Sequence, residues 1–243
     1  MHRADLSMHA SIFLLAVNDL GYVWDKATWE GKAIIVILLF FSIFAWSTMA
    51  SKALQMRRAR KLNQFFEQEF RGQRHVLDVY DRQVRVTDCP LFMVYHEGCQ
   101  ELDVRLRTAQ EGVRKKHVSL KAIEHVKRTL ESAVARESLR LESGLILLAI
   151  AVSGAPFLGL LGTVWGVMSA FSYVAMAGKA DLATMAPGVA AALVTTVAGL
   201  LVAIPSMFGY NWLVHNLRVA TVELDNFAQE LTSKIETEYL LDE

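Results

Sequence analysis

Residues 143–178 read SGLILLAIAVSGAPFLGLLGTVWGVMSAFSYVAMAG, thirty-six positions without an Asp, Glu, Lys or Arg. A soluble core has no use for an uncharged run of this length, whereas a membrane-crossing helix needs about 20 apolar residues. Residues 182–217 form a second such run, also of thirty-six, in which His215 is the one imidazole. As helices each is about 54 Å long at a rise of about 1.5 Å per residue, against a hydrocarbon core of about 30 Å. Both are expected to continue past the bilayer into a helical bundle, and the short link at 179–181 makes them an antiparallel pair. A third uncharged run, AIIVILLFFSIFAWSTMA at 33–50, is just long enough to cross, with Trp29 and Trp46 near its two ends, where indole rings favour the interface.

Three spans divide the rest of the chain. Residues 1–32 hold three basic and four acidic groups, 51–142 nineteen and thirteen, and 218–243 two and seven. The formal net charge of zero therefore conceals a basic middle and an acidic tail. Either both are solvated faces, or the tail packs near the middle segment. Basic and acidic groups are interleaved, which argues against a nucleic-acid surface. Lys52, Arg57, Arg58, Arg60 and Lys61 follow the first span, and only Lys26 and Lys32 stand shortly before it. The excess of Lys and Arg places 51–142 in the cytoplasm, the N-terminus outside and the C-terminus inside. The run at 12–17 is too short and too weakly flanked for a signal peptide, and 7–20 reads as an amphipathic helix lying on the membrane surface. In the middle segment Ile123, Val126, Leu130, Ala133, Val134 and Leu141 recur at helical steps, 100–116 is rich in helix formers, and Asp88-Cys89-Pro90 is a break. No alternation long enough for a sheet occurs, so the expectation is an all-α integral membrane protein. Cys89 and Cys99 read as free thiols in a reducing compartment, with no metal-site spacing around them.

The spans lack intramembrane carboxylates, so this chain alone carries no proton across the bilayer on a side chain. They are rich in breakers and small residues instead. Pro156, Pro187 and Pro205 interrupt the backbone ladder and can hinge a helix, as does the Pro187-Gly188 pair. Gly162, Gly166 and Ala170 form one small stripe, and Thr195, Gly199 and Ala203 another. Small stripes let backbones approach in lipid, within one subunit or between subunits. Thr163, Thr195 and Thr196 are the deep polar groups. Each either bonds its own i−4 carbonyl or, in a ring of subunits, offers a hydroxyl to water, an ion or a partner's carboxylate.

Residues 157–168, FLGLLGTVWGVM, and 186–211, APGVAAALVTTVAGLLVAIPSMFGYN, resemble in order the second- and third-span signatures of the ExbB/TolQ family. The likeness covers residues 140–215 in motif and the rest in topology. It implies a bacterial inner-membrane subunit with a periplasmic N-terminus and a cytoplasmic C-terminus. It implies assembly as a homo-pentamer around a single-span ExbD/TolR-like partner whose membrane aspartate sits in the pore. Proton flow would then be coupled to work on TonB-like or Tol-like envelope proteins, with no cofactor. The family's pore threonines match Thr163 and Thr196. One position departs: where members usually carry a glutamate after the Pro-Gly pair, this chain has Ala191, which leaves a proton or a sodium ion as the coupled species. A passive membrane scaffold without ion coupling is the alternative. An intramembrane enzyme is disfavoured, since Ser153, Ser169 and Ser172 have only His215, at the end of another span, as a base.

Overall fold

The computed structural model describes residues 24, 28–83, 86–107, 114–178 and 182–240. The surface helix expected over 7–20 and the turn at 179–181 lie outside these. The described residues are helical throughout, joined by short turns: α1 is Trp29–Arg71, α2 Asp78–Asp81, α3 Pro90–Leu106, α4 Leu120–Glu142, α5 Leu145–Ala177 and α6 Leu182–Tyr239. Among them the strand-like pairings are two isolated bridges, Arg107 with Arg114 and Val118 with Leu240. Three helices, α1, α5 and α6, contain windows of mean hydropathy 2.3, 2.3 and 2.1 and are long enough to cross a membrane.

Helices outrun the apolar stretches that announce them. The run at 33–50 is the middle of a helix of 43 residues. The run from 182 and the tail from 218 are one helix of 58 residues, carried through Pro187 and Pro205. The run from 143, by contrast, begins with a break: Gly144 at φ 83° separates α4 from α5, in a left-handed conformation that costs glycine little.

The chain divides into two compact units. One comprises Met1–Met49 and Leu145–Tyr210, the other Ala50–Gly144 and Asn211–Glu243. The first has a thin core, with Ile34 and Leu38 of α1 packed on Ala155 and Ala203. Its large apolar side chains point outward instead: Leu39, Phe44, Phe157, Leu201 and Phe208 are all exposed. That is the distribution of a surface facing lipid rather than water.

The second unit is built as soluble proteins are. Phe66 and Phe70 of α1, Phe92 and Tyr95 of α3 and Phe227 of α6 pack ring on ring, with Phe70 and Phe227 centroids 5.2 Å apart. Tyr95 carries the polar end of this cluster inward. Its hydroxyl donates to Val76 O at 2.6 Å and accepts from Tyr80 N–H at 3.0 Å, pairing two backbone groups. The break at Asp88-Cys89-Pro90 forms as expected: Cys89 is extended, and Pro90 opens α3. Asn63 of α1 stitches that break to its own helix by accepting from Leu91 N–H at 3.2 Å. Both cysteines are free and buried, and burial pushes both thiols above their ordinary range.

Of the stretch 100–116, rich in helix formers, the residues as far as Leu106 are helical. The helix stops at Leu106, Arg107 turns extended, and 114–119 are outside any helix. The cause is a fork of charge. Arg114 binds Asp81 through both terminal nitrogens at 2.6 Å and Asp103 through Nε at 2.6 Å, while Arg107 holds the other Asp103 oxygen at 2.8 Å. Two guanidiniums on one buried carboxylate outweigh local propensity. The acidic tail packs against the basic middle: Glu238 meets His75 at 2.9 Å and accepts from Val76 N–H at 2.9 Å, and Glu230 lies 3.5 Å from Arg71.

Glu137 of α4 is buried, and burial raises its carboxyl above the ordinary carboxylate range, opposed by Arg140 at 3.6 Å. A raised acid binds its proton more tightly folded than unfolded, so stability falls as pH rises through that window. Glu137→Gln is therefore expected to raise the melting temperature at neutral pH by about 2–4 °C. The gain should vanish at about pH 3, below the unfolded carboxyl's ordinary range, where the carboxyl is protonated in both states; thermal melts of the two proteins across this range check it.

Candidate functional site

The site expected from the sequence lies where α5 meets α6. Buried positions of α5 are Leu145, Leu148, Ala151, Ala155, Gly159, Gly162 and Gly166, at steps of three, three, four, four, three and four, which keeps them on one face. Opposite them on α6 lie Ala192, Thr195 and Gly199. A Cβ added at Gly159 would stand 2.8 Å from Thr195 O and 2.9 Å from Thr196 Cα. One at Gly199 would stand 2.5 Å from Ala155 O, and one at Gly166 2.6 Å from Ala192 Cβ. At Gly162 it would overlap the Thr195 side chain. The helices touch backbone to backbone, and only glycine allows it.

The three threonines differ in what they do there. Thr195 is 1% exposed, and its hydroxyl lies 2.7 Å from Ala192 O on its own helix and 3.0 Å from Gly159 O on α5. One proton is thus shared between a carbonyl three residues back and a carbonyl across the seam. Thr163, half-buried, donates to Leu160 O at 2.7 Å. Both use the i−3 carbonyl, not the i−4 carbonyl expected. The Thr196 hydroxyl is buried and, among the described residues, has no hydrogen-bond partner, a rare state for a buried polar atom. No hydrogen bond joins Thr163 to either of the other two.

The remaining positions sort by contact. Pro156, Pro187, Gly188 and Pro205 are half-buried, inside helices that continue past them. A Cβ at Gly188 would meet only Ala170 Cβ, at 3.5 Å, so this glycine is not required for close approach. Ala170, placed by the sequence in the first stripe, is half-buried and faces Gly188 of α6, and Ala155 and Gly159 extend the buried face toward the start of α5. The signal for them was present, since 155, 159, 162 and 166 keep a 4-3-4 rhythm. Ala191 is buried at 5% exposure.

The sequence profile of the MotA/TolQ/ExbB proton channel family matches residues 100–226, which include all of α5 and the seam. The biopolymer transport protein ExbB of Neisseria meningitidis is 31% identical over 199 residues, 82% of this chain and 88% of that protein. The Tol-Pal system protein TolQ of Haemophilus influenzae is 33% identical over 215 residues, 86% and 90% of the two chains. TolQ of Pseudomonas aeruginosa is 35% identical over 183 residues, 74% and 76%. This chain belongs to the MotA/TolQ/ExbB family. It is accordingly a membrane protein of a proton-channel family, and its three apolar helices are those expected of such a member.

The seam makes a graded prediction for this family member. Gly159→Ala and Gly199→Ala oppose backbone atoms that cannot move aside, and each is expected to destabilise the chain by about 1–3 kcal/mol. Gly188→Ala meets only ordinary van der Waals contact and is expected to be neutral within about 0.5 kcal/mol. Thermal unfolding of the three variants in detergent, side by side, checks the order.

Proposed function

We propose that the chain is the pore-forming scaffold subunit of an ion-motive-force-driven motor in the bacterial inner membrane. Several copies, five by resemblance to the family, surround a single-span ExbD/TolR-like partner. The partner's membrane aspartate carries the ion, and its movement does work on TonB-like or Tol-like envelope proteins. In this reading the N-terminus is periplasmic and the C-terminus cytoplasmic, as the Lys and Arg after the first span favour.

One observation carries the reading. The three spans hold no Asp, Glu, Lys or Arg, so an ion-carrying carboxylate in the pore has to come from another chain. A partner carboxylate fits that need. Facing apolar side chains it is neutral, and facing water or hydroxyls it is charged. Alternation between the two is how an ion gradient is turned into motion. One charge crossing 100 mV releases about 2.3 kcal/mol, so a few charges per step suffice to bias a movement between subunits. With Ala191 in place of the family's glutamate, hydroxyls are the polar groups this chain brings to the path. They suit a proton-carrying acid or, as oxygen ligands, a sodium ion.

The test is ion flux through the complex of this chain with the single-span partner. Thr163→Ala and Thr196→Ala are each expected to cut flux about tenfold, the effect of losing roughly 1.4 kcal/mol of hydroxyl interaction, with the complex still assembled. Running the assay in proton and then sodium gradients names the ion. Full flux in both variants makes these threonines packing residues and overturns the site assignment; no flux in the unmodified complex returns the chain to the passive scaffold reading.

A further inference from the structure

The unit formed by Ala50–Gly144 and Asn211–Glu243 presents two uncovered surfaces of opposite character. On α1, Phe65 is 68% exposed in the midst of a charged helix. Lys61 and Arg58, four and seven residues before it, share its face, and among the described residues neither has an ion-pair partner. Between α4 and α6 runs a groove of about 490 Å³ with an apolar floor of Leu130, Val134 and Ala228. Its walls carry Glu131, Asp225 and Glu236, also without ion-pair partners among the described residues, against the single cation Lys127.

The two surfaces lie at one level. Phe66 meets Phe227 edge-on at 6.0 Å, and Lys234 Nζ reaches Gln73 O at 3.4 Å, so α1 and α6 run parallel with residue 66 beside residue 227. Phe65 is therefore within about a turn of the level of Ala228. The groove lies on the flank of α6 away from α1. α6 turns Glu223, Phe227 and Glu230 toward α1, whereas Asp225, Ala228, Thr232 and Glu236 line the groove on its other flank.

We propose that these surfaces are the two halves of one contact between copies of this chain: Phe65 of one copy enters the α4–α6 groove of the next, with Lys61 and Arg58 against its carboxylates. The charges are complementary, and the aromatic is of the kind that anchors interfaces. Knob and groove are unlike surfaces on different helices, so the contact pairs the knob of one copy with the groove of the next. The contact is head to tail, and copies inserted in one direction at one height close it into a ring. The inference rests on the multi-copy reading above and adds which face meets which.

Oxidative cross-linking of the full-length chain in detergent tests it. Phe65→Cys and Gln229→Cys place thiols on the knob and on the groove wall, while the native Cys89 and Cys99 are buried. The double variant is expected to give a ladder of covalent multimers on a non-reducing gel, and each single variant only monomers. Adding Lys61→Glu should lower the cross-linked fraction about threefold, and adding Asp225→Lys as well should restore it. Covalent dimers from Phe65→Cys alone would overturn the head-to-tail contact. So would an uncross-linked double variant whose native mass is still that of a multimer, a result that leaves the multi-copy reading standing. A monomeric native mass for the unmodified chain would remove both.

Discussion

Backbone contact between α5 and α6 at Gly159 and Thr195 is the constraint on which the membrane unit depends. In lipid no hydrophobic force drives helices together, because tails solvate leucine as well as another helix does. What remains is dispersion at close range and whatever hydrogen bonds can cross the gap. Gly159, Gly162, Gly166 and Gly199 bring the backbones close enough for both. Thr195 then spends its one proton between its own helix and Gly159 O, 3.0 Å away. Remove the glycines and that hydroxyl has only its own helix to bond.

The two units solve the packing problem in opposite ways. In the Ala50–Gly144 and Asn211–Glu243 unit the largest side chains are inside and charges outside, with Phe66, Phe70, Tyr95 and Phe227 at the centre. In the other, the α5–α6 seam is made of alanines, glycines and a threonine, and most of the large Phe, Leu and Trp side chains are outside. Each arrangement follows from its solvent: water rewards hiding large apolar groups, and lipid rewards close contact between small ones. α1 and α6 carry both patterns within a single helix, which is why one continuous element holds both Leu201, exposed, and Leu231, fully buried.

This change of pattern also explains what the sequence made legible. The uncharged runs located three spans, and the break at Asp88-Cys89-Pro90 was plain from its proline. The true ends of the helices were not, because charged residues after position 50 or 217 look like a change of element when they mark only a change of surroundings. The end of α3 at Leu106 was hidden for another reason. Arg114 closes on Asp81 and Asp103, 33 and 11 residues away, and no local pattern reports such a fork. At the seam the residue types were readable and the extent was not. Steps of four alone pointed to Gly162, Gly166 and Ala170, whereas a helix of 3.6 residues per turn alternates threes and fours along one face, which brings in Ala155 and Gly159.

Ala191 gains meaning from where it sits. It is buried within the chain, one residue from the Ala192 that packs on Gly166. A carboxylate at such a position has lost most of its hydration, and the neutral form is favoured unless a cation or several donors compensate. Alanine avoids that cost and gives up a titratable group in exchange. The polar chemistry left in the seam is then hydroxyl chemistry, already divided. Thr195 and Thr163 are committed to backbone carbonyls, and Thr196, one residue from Thr195, is committed to nothing among the described residues. Adjacent threonines on one helix are turned about 100° apart, so the hydroxyl that reaches Gly159 O across the seam is that of Thr195 and not that of its neighbour.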